Sequence, residues 1–237
     1  QNNVQGSCDM GSFPHELPGY RHLSDSSVRA LFEAEWGVEI LPDPGYRIPN
    51  MFDAAVAGQF KGLYVQGEDV AQSDPDTNHV TAALSSLECM IVQDLFLNET
   101  AKFAHVFLPG SSFLEKNGTF TNAERRISPV RKVMEPKAGY EDWEVTQALS
   151  NAMGYPMNYA NPEAIFTEFA ALTTSYSQLD YDNIGLTGRL WPAPDREADD
   201  GVQVLFGDGF PTQSSRGKMV PADIIPPDER PDDGRFQ

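Results

Sequence analysis

The stretch LECMIVQDLFLNETAKFAHVFLPG, residues 87–110, decides the fold class of this chain. Met90–Val92 is an apolar run of strand length, and it stops at the polar pair Gln93–Asp94. A helix start follows at Asn98–Ala101, and a second apolar run, His105–Leu108, comes next. Polar residues at the carboxyl end of a buried parallel strand are where α/β sheets bind ligands. The stretch therefore predicts a strand, a short helix and a strand, with a ligand site after the first strand.

An earlier stretch repeats this layout. Phe60–Gln66 reads as a strand, and Gly67, Glu68 and Asp69 follow at its end. Two such strand ends side by side predict a ligand crevice. Strands and helices alternate over residues 60–155, which favours an α/β unit with a mainly parallel sheet and flanking helices.

The flanking segments are less regular than this unit. Residues 1–59 predict an irregular and helical segment, and residues 156–237 predict a helix followed by an extended, Pro/Asp-rich run-out and linker. Helical spacing and end signals predict helices at Ser27–Trp36 (capped by Ser26 or Ser27), Met51–Val56, Asn78–Leu87, Glu141–Met153 and Pro162–Leu172. Phe113–Arg126 is predicted as a ligand-facing loop and Ile127–Val133 as a short strand. Irregular chain is predicted at Pro192–Asp200 and Pro221–Asp233.

The composition limits the partners of the chain. Its formal net charge is −18, which argues against nucleic acids and anionic membranes because both need a basic face. The simpler interpretation of this negative charge is a solvated acidic surface, and the alternative is adaptation to high salt. No apolar run approaches the ~18 residues of a membrane helix, so we expect no membrane contact from this chain.

The sequence lacks the motifs of several common nucleotide-binding, catalytic and metal sites. The usual dinucleotide, P-loop and hydrolase motifs are absent from the sequence. Cys8 and Cys89 have no C-x-x-C partner, and we expect both to be reduced and buried. The sequence predicts no cluster among the histidines and no zinc or iron–sulfur site built from this chain alone; these histidines are His15, His22, His79 and His105.

Charged residues near the predicted strand ends are the candidate ligand contacts. Asp69 and Asp94 could accept hydrogen bonds from a guanine edge or a ribose, and the equally weighted alternative is capping of the next turn. Lys116 could bind a pyrophosphate, or it could form a surface ion pair. Asp142 opens a predicted helix, where the simpler role is stabilisation of the helix dipole.

Several stretches, in order along nearly the whole chain, resemble one family, the molybdenum- or tungsten-dependent formate dehydrogenases among the molybdopterin oxidoreductases. QNNVQGSCDMG (1–11) resembles the segment of these enzymes beside the metal, and VQGEDVAQS (65–73) resembles their G-E-[DN]-P motif, with Val70 in place of proline. The other matching stretches are IVQDLFLNETAKFAHVFLP (91–109), FLEKNGTFTNAER (113–125), YEDWEVTQALSNAMGY (140–155), RLWPAPD (189–195) and RGKMVP (216–221).

The resemblance implies a bis-molybdopterin guanine dinucleotide enzyme, with molybdenum or tungsten, that oxidises formate to carbon dioxide. This part of the enzyme would cradle one guanine dinucleotide. Asp94 and Asp142 would accept from guanine or ribose, Lys116 would supply charge, and Gln1 would lie by the pterin and metal. The cofactor contacts carried over by the resemblance are Gln1, Gly67, Glu68, Asp69, Ser73 (where threonine is common), Gln93, Asp94, Lys116 and Asp142.

The resemblance also places the reacting groups elsewhere. The Cys or selenocysteine that holds the metal, its neighbouring His and Arg, a 4Fe–4S domain and a C-terminal β-barrel would all lie outside this chain. We therefore name no catalytic residue and no metal ligand here, and expect an inactive middle fragment of a catalytic subunit. Implied partners are the rest of that subunit, iron–sulfur or flavin electron-transfer subunits, and formate. The predicted location is cytoplasmic. The alternatives are another molybdopterin oxidoreductase, such as a nitrate reductase, or a non-catalytic nucleotide-binding scaffold.

Overall fold

The computed structural model describes residues 3–197 and 200–222. The chain divides into two units, Gln1–Val202 and Gln203–Gln237. The strands of the first unit are β1 (Glu16–Leu17), β2 (Arg21–His22), β3 (Gly62–Gln66), β4 (Cys89–Asp94), β5 (Val106–Pro109), β6 (Gly118–Thr121), β7 (Arg126–Val130) and β8 (Arg189–Leu190). Its helices are α1 (Val4–Asp9), α2 (Ser26–Trp36), α3 (Ile48–Val56), α4 (Val70–Ser73), α5 (Thr77–Ser86), α6 (Asp142–Ala152), α7 (Pro162–Leu172) and α8 (Tyr181–Ile184), with a 3₁₀ turn at Thr100–Phe103.

A three-stranded parallel sheet of order β3-β4-β5 organises the first unit. Gln66 lies opposite Gln93, and Gln93 lies opposite Leu108, so the carboxyl ends of the three strands meet at one edge. The predicted α/β class, with a parallel sheet and flanking helices, is confirmed. The predicted helix start at Asn98–Ala101 is a 3₁₀ turn that begins at Thr100.

One face of this sheet packs against helices α3, α4 and α5. The buried side chains of this core include Phe52, Val65, Val80, Leu84, Met90 and Val92. Side chains alternate along a strand, and Met90 and Val92 point into the core. Cys89 belongs to the opposite set and is exposed, and Cys8 is only half-buried, so the prediction that both cysteines are buried is wrong. Both cysteines are free thiols.

A second sheet, antiparallel and of order β6-β7-β8, lies within residues 118–190. Phe120 pairs with Ser128 across β6 and β7. The prediction of a continuous loop over Phe113–Arg126 is therefore wrong for its second half. The physical reason is the β-forming triplet Thr119–Thr121, which a tight turn at Asn122–Arg125 returns onto β7. Ile127 from this sheet is fully buried against α7.

Helix ends differ from the sequence predictions in two instructive places. The N-cap of α2 is Asp25, whose Oδ1 accepts from the backbone N–H groups of Ser27 and Val28 at 2.8 and 3.3 Å, so the prediction of a serine cap is wrong. Helix α3 begins at Ile48 because Pro49 is tolerated in a first helical turn. Helix α7 spans Pro162–Leu172, as predicted.

The N-terminal segment is anchored by a buried carboxylate. Asp9 is 1% exposed and accepts from Gln5 Nε2 (2.8 Å), Tyr20 OH (2.8 Å), Trp191 Nε1 (2.9 Å) and Tyr176 OH. Burial, followed by the charge of Asp9 and its hydrogen bond, raises the pKa of Tyr176. These bonds tie α1 to chain positions far along the sequence.

Strands β1 and β2 form a hairpin that pairs Glu16 with His22. The turn brings the rings of His15 and His22 to a centroid distance of 5.8 Å. The prediction that the histidines form no cluster is therefore wrong for this pair. The spacing of the histidines in the sequence could not predict the cluster, because the strand at Arg21–His22 has only two residues and gives no recognisable pattern.

The described part of the second unit, residues 203–222, consists of turns, bends and irregular chain, with the rings of Phe206 and Phe210 stacked at 5.3 Å. The predicted linker at Pro221–Asp233 lies outside the described residues beyond Ala222. Across 3–197 and 200–222, no helix combines the length and the apolar character needed to cross a membrane.

Candidate functional site

A cavity of about 370 Å³ opens at the carboxyl edge of the parallel sheet. Residues from all three strand ends, the following loop and the start of α6 surround it, and most of them are polar or small, so we call it the polar cavity. Its lining consists of Asn3, Gln66, Gly67, Gln93, Asp94, Leu95, Gly110, Ser111, Ser112, Phe113, Lys116, Phe120 and Asp142. Among the predicted contacts, Gly67, Gln93, Asp94, Lys116 and Asp142 are brought together here.

Asp142 is the most connected charged group of this cavity. It is the first residue of α6, and Glu141 and Glu144 form a capping box around that helix start. Asp142 Oδ1 accepts from Ser111 N at 2.9 Å and from Gln93 Nε2 at 3.0 Å. The same carboxylate pairs with Lys116 Nζ through Oδ2. Asp142 therefore has the helix-start position of the simpler interpretation and also forms part of the cavity wall.

Lys116 places a positive charge in a strongly acidic chain. Its side chain is 26% exposed and that of Asp142 is 21% exposed, so water reaches the pair only in part. The ion-pair alternative for Lys116 is thus observed, and the pair borders the cavity. A cation in this position can attract a phosphate group, while the carboxylate beside it can accept N–H or O–H donors.

Gln93 is 1% exposed and satisfies both ends of its amide. Its Nε2 donates to Asp142, and its Oε1 accepts from the hydroxyl of Tyr64. Buried polar groups require such partners, because an unsatisfied one costs about 1–3 kcal/mol. Gln93 therefore fixes the position of the Asp142 carboxylate relative to the end of β4.

Asp94 caps the turn that follows β4. Its Oδ1 accepts from Leu95 N at 2.6 Å, and its Oδ2 accepts from Asn98 Nδ2 at 3.0 Å. This is the capping alternative of the sequence analysis. The residue still borders the cavity, and each carboxylate oxygen can accept a second hydrogen bond. Capping and ligand binding are therefore compatible at Asp94.

Two glycines let backbone approach the cavity closely. Gly67 has φ +65°, a left-handed conformation that favours glycine, and its N–H donates to Gln93 O at 2.9 Å. A Cβ at Gly110 would lie 3.2 Å from the carbonyl carbon of Asp94 and 3.4 Å from Asp142 Oδ1. The absence of a Cβ at both positions keeps this edge of the sheet open.

The third strand end also contributes to the cavity, which was not predicted from the sequence. Gly110, Ser111 and Ser112 follow β5 and line the cavity, with Ser111 bonded in both directions to Asp142. The rule that selected Gly67 and Asp94, polar or small residues after a parallel strand, would also have selected these residues. Asn3 was missed as well; its Oδ1 accepts from Thr121 N at 2.8 Å.

The structure places Glu68, Asp69 and Ser73 away from the lining of this cavity. Asp69 Oδ1 accepts from Thr100 N at 2.9 Å and from Thr100 Oγ1 at 2.6 Å. Burial by itself raises the pKa of Asp69, but the bonds from Thr100 and Gln72 outweigh it and lower that pKa. Ser73 Oγ donates to Glu68 Oε1 at 2.7 Å. Their role as cofactor contacts stays a prediction.

The remaining predicted contact, Gln1, lies outside the described residues. Asn3, two positions later, borders both the polar cavity and a larger cavity of about 850 Å³. The lining of the larger cavity is mainly aromatic and aliphatic, including Trp36, Trp143 and Phe169. Its apolar wall suits a phosphate poorly, so the polar cavity is the better candidate for a nucleotide.

The sequence profile of the family described as "Molybdopterin oxidoreductase" matches residues 3–152, which include every described residue of the predicted contact set. The chain belongs to the molybdopterin oxidoreductase family. This membership confirms the family resemblance, and the family's name ties the chain to a molybdopterin cofactor.

Curated relatives in this family carry formate dehydrogenase names. The chain is 42% identical over 235 residues to "F420-dependent formate dehydrogenase subunit alpha" of Methanocaldococcus jannaschii, which covers 98% of this chain and 34% of that subunit. It is 38% identical over 231 residues to "Formate dehydrogenase H" of Escherichia coli, which covers 96% of this chain and 32% of that protein. The chain thus spans about a third of the length of these relatives.

"Acetylene Hydratase from Pelobacter acetylenicus" superposes on 67% of this chain and 23% of its own, with a TM-score of 0.49 and 16% identity.

Proposed function

We propose that this chain is the cofactor-anchoring part of a formate dehydrogenase catalytic subunit. In the proposal, the subunit oxidises formate to carbon dioxide with a bis-molybdopterin guanine dinucleotide that carries molybdenum or tungsten. Support comes from the formate dehydrogenase names of the relatives at 42% and 38% identity. The single observation that carries the anchoring role is the set Gln93, Asp94, Lys116 and Asp142 around one polar cavity.

The donor and acceptor set suits the guanosine end of such a cofactor. Guanine presents N–H donors on one edge, and the carboxylates of Asp94 and Asp142 are acceptors. The ammonium of Lys116 suits a phosphate. The cavity volume of about 370 Å³ lies in the range of about 300–1,000 Å³ that is usual for ligand pockets. The residues present therefore fit the group.

The residues of this chain bind and orient rather than react. The bound cofactor would supply the two-electron chemistry at its metal and pterin. Lys116 would hold the phosphate, while Asp142, fixed by Gln93 and Ser111, would select guanine over adenine. Asp94 would add an acceptor, and Gly67 and Gly110 would let the ligand approach the backbone.

The wider assembly follows from the same proposal. The rest of the catalytic subunit would complete the cofactor cleft, a 4Fe–4S cluster in that remainder would take the electrons, and iron–sulfur or flavin subunits would pass them on. A cytoplasmic location belongs to this proposal too. Among the alternatives, another molybdopterin oxidoreductase would share the anchoring site, and a nucleotide-binding scaffold would share only its nucleotide pocket.

Assays on the full-length catalytic subunit test this function. The subunit is expected to reduce a viologen dye with formate and to release a guanine nucleotide and a pterin on acid hydrolysis. Asp142→Asn is expected to lower the guanine released per subunit, whereas Asp43→Asn, at an exposed position, is expected to leave it unchanged. Oxidation of reduced viologen by nitrate, without any reduction of viologen by formate, would favour the nitrate reductase alternative. Absence of any pterin would contradict the proposal.

A further inference from the structure

The hairpin of β1 and β2 carries a cluster that the proposed function does not use. The imidazoles of His15 and His22 and the carboxylate of Glu16 converge, and one ligand atom from each lies within 4.8 Å of the others. The two rings are stacked with 29° between their planes. Two imidazoles and a carboxylate are a common ligand set for Zn²⁺ and related divalent transition metals.

The distances centre on one oxygen. Glu16 Oε1 lies 3.7 Å from His15 Nε2 and 3.9 Å from His22 Nε2. In a tetrahedral site with metal–ligand bonds of about 2.0–2.2 Å, the ligand atoms are about 3.3–3.6 Å apart. The observed separations to Glu16 exceed this by a few tenths of an ångström, which a small ring rotation closes.

The fold holds the three residues in place without the cation. Glu16 and His22 are cross-strand partners in β1 and β2, and Leu23 N donates to His15 O at 3.1 Å on the other side of the pair. Leu17, next to Glu16, is buried in a core cluster with Phe32. The ring of Phe13 lies 5.9 Å from that of His15. A site whose backbone is already held by hydrogen bonds loses less conformational freedom when a ligand binds.

The exposures indicate an accessible site with an open coordination position. The side chain of Glu16 is 12% exposed, that of His15 is 39% exposed and that of His22 is 62% exposed. The largely buried carboxylate forms the base, and the two imidazoles form the rim. Water or an external ligand can then complete four-coordination, as in three-ligand zinc sites.

We propose that His15, Glu16 and His22 form a binding site for a divalent transition metal of the Zn²⁺ class, separate from the polar cavity. The site uses two nitrogen ligands and one oxygen ligand, all from this chain. It departs from the expectation that no zinc site is built from this chain alone.

The chain supplies a matched control for this site. His79 Nε2 lies 3.0 Å from Asp53 Oδ1, which is a closer histidine–carboxylate pair than either pair of the hairpin. Its side chain is 36% exposed, similar to that of His15. The described part of the chain places no second histidine with this pair. Loss of His79 therefore measures what one imidazole contributes to weak surface binding.

The test uses the 237-residue chain without an affinity tag, titrated with Zn²⁺ by calorimetry and with Co²⁺ by visible absorption. We expect one equivalent to bind, with ligand-field bands in the Co²⁺ spectrum. His22→Ala, His15→Ala and Glu16→Gln are each expected to lower the affinity by about tenfold or more, a change of about 1.4 kcal/mol or more. His79→Ala is expected to bind like the parent.

The folding of the variants and the position of the bound metal are checked by measurements that do not depend on enzyme activity. Circular dichroism without metal verifies that each variant is folded, and His22, being the most exposed ligand, is the safest substitution. In the unsubstituted chain, Co²⁺ is expected to broaden the ring resonances of His15 and His22 before those of His79 and His105. Absence of stoichiometric binding, equal loss in His79→Ala, or broadening centred on His79 would overturn the proposal.

Discussion

Gln93 Nε2 lies 3.0 Å from Asp142 Oδ1, so a buried amide at the end of β4 is bonded to a carboxylate at the start of α6. The two residues are 49 positions apart in the sequence. Gln93 is also bonded to Tyr64 on β3, which makes it the junction of two strands and one helix. The geometry of the cavity wall depends on this junction.

Replacement of Gln93 with leucine should destabilise the first unit. The substitution leaves the Tyr64 hydroxyl and one bond of Asp142 without partners, and we expect a loss of about 1–3 kcal/mol in the free energy of unfolding. Urea denaturation measures it. Gln59→Leu, at an exposed position, serves as the control and should change stability by less than about 0.5 kcal/mol. Equal effects of the two substitutions would contradict the role of the junction.

Replacement of Gly110 with alanine should narrow the polar cavity. The new Cβ would lie 3.2 Å from the carbonyl carbon of Asp94, so the neighbouring atoms must give by a few tenths of an ångström. Because those atoms are backbone, we expect a loss of about 1–3 kcal/mol in the free energy of unfolding. Gly62→Ala on β3 is the matched control, because its Cβ would meet Cys89 O at 3.8 Å. Thermal unfolding compares them, and a Gly110→Ala variant as stable as Gly62→Ala would refute the tight contact.

The parallel sheet could be predicted from the sequence because its strands are short apolar runs that end in polar or small residues. The same signal located Gln93 and Asp94 correctly at the cavity. It could not tell which strand-end residues turn toward the cavity, and the structure turns Asp69 to Thr100 instead. That choice depends on a partner 31 residues away, which local pattern does not encode.

Other features could not be predicted because they also depend on contacts between residues that are not neighbours in the sequence. Strand β6 was hidden within a polar, glycine-containing segment, and its pairing with β7 depends on the turn between them. The histidine cluster depends on a hairpin of two-residue strands. Cys89 is exposed because it lies on the opposite strand face from Met90 and Val92, and that face is covered at Gln93 but not at Cys89.

Replacement of Asp9 with asparagine should detach the N-terminal segment from its anchor. The neutral amide has one acceptor oxygen where the carboxylate has two, and its NH₂ group would face the donors Tyr176 and Trp191. We expect a loss of about 3 kcal/mol in the free energy of unfolding. Asp43→Asn, at an exposed position, is the control. Urea denaturation of the two variants gives the difference, and similar values would contradict the anchoring role of Asp9.

Stability should depend on the ionisation of Glu115 at acid pH. Hydrogen bonds from the backbone N–H groups of Lys137 and Ser112, and from the Ser112 hydroxyl, lower the pKa of Glu115 from 4.5 to about 2. A depressed pKa in the folded state stabilises the fold above pH 4.5, and this contribution is lost as the pH falls toward 2.

The variant Glu115→Gln isolates that contribution. The urea midpoint of the parent should exceed that of the variant at pH 6, and the difference should shrink as the pH is lowered below 4.5. Glu39→Gln, at an exposed position, should show no such convergence. A parent–variant difference that is constant from pH 6 to pH 3 would show that the Glu115 charge does not stabilise the fold.

We propose that the polar cavity anchors a guanine nucleotide. An NMR titration of the 237-residue chain with GDP and, in parallel, with ADP tests this anchoring directly. We expect GDP to shift the resonances of Gln93, Lys116 and Asp142 at lower concentration than ADP does. Asp142→Asn should weaken GDP by about tenfold or more through loss of a charged acceptor, while Asp43→Asn should not. Equal responses to GDP and ADP, or shifts centred away from this cavity, would contradict it.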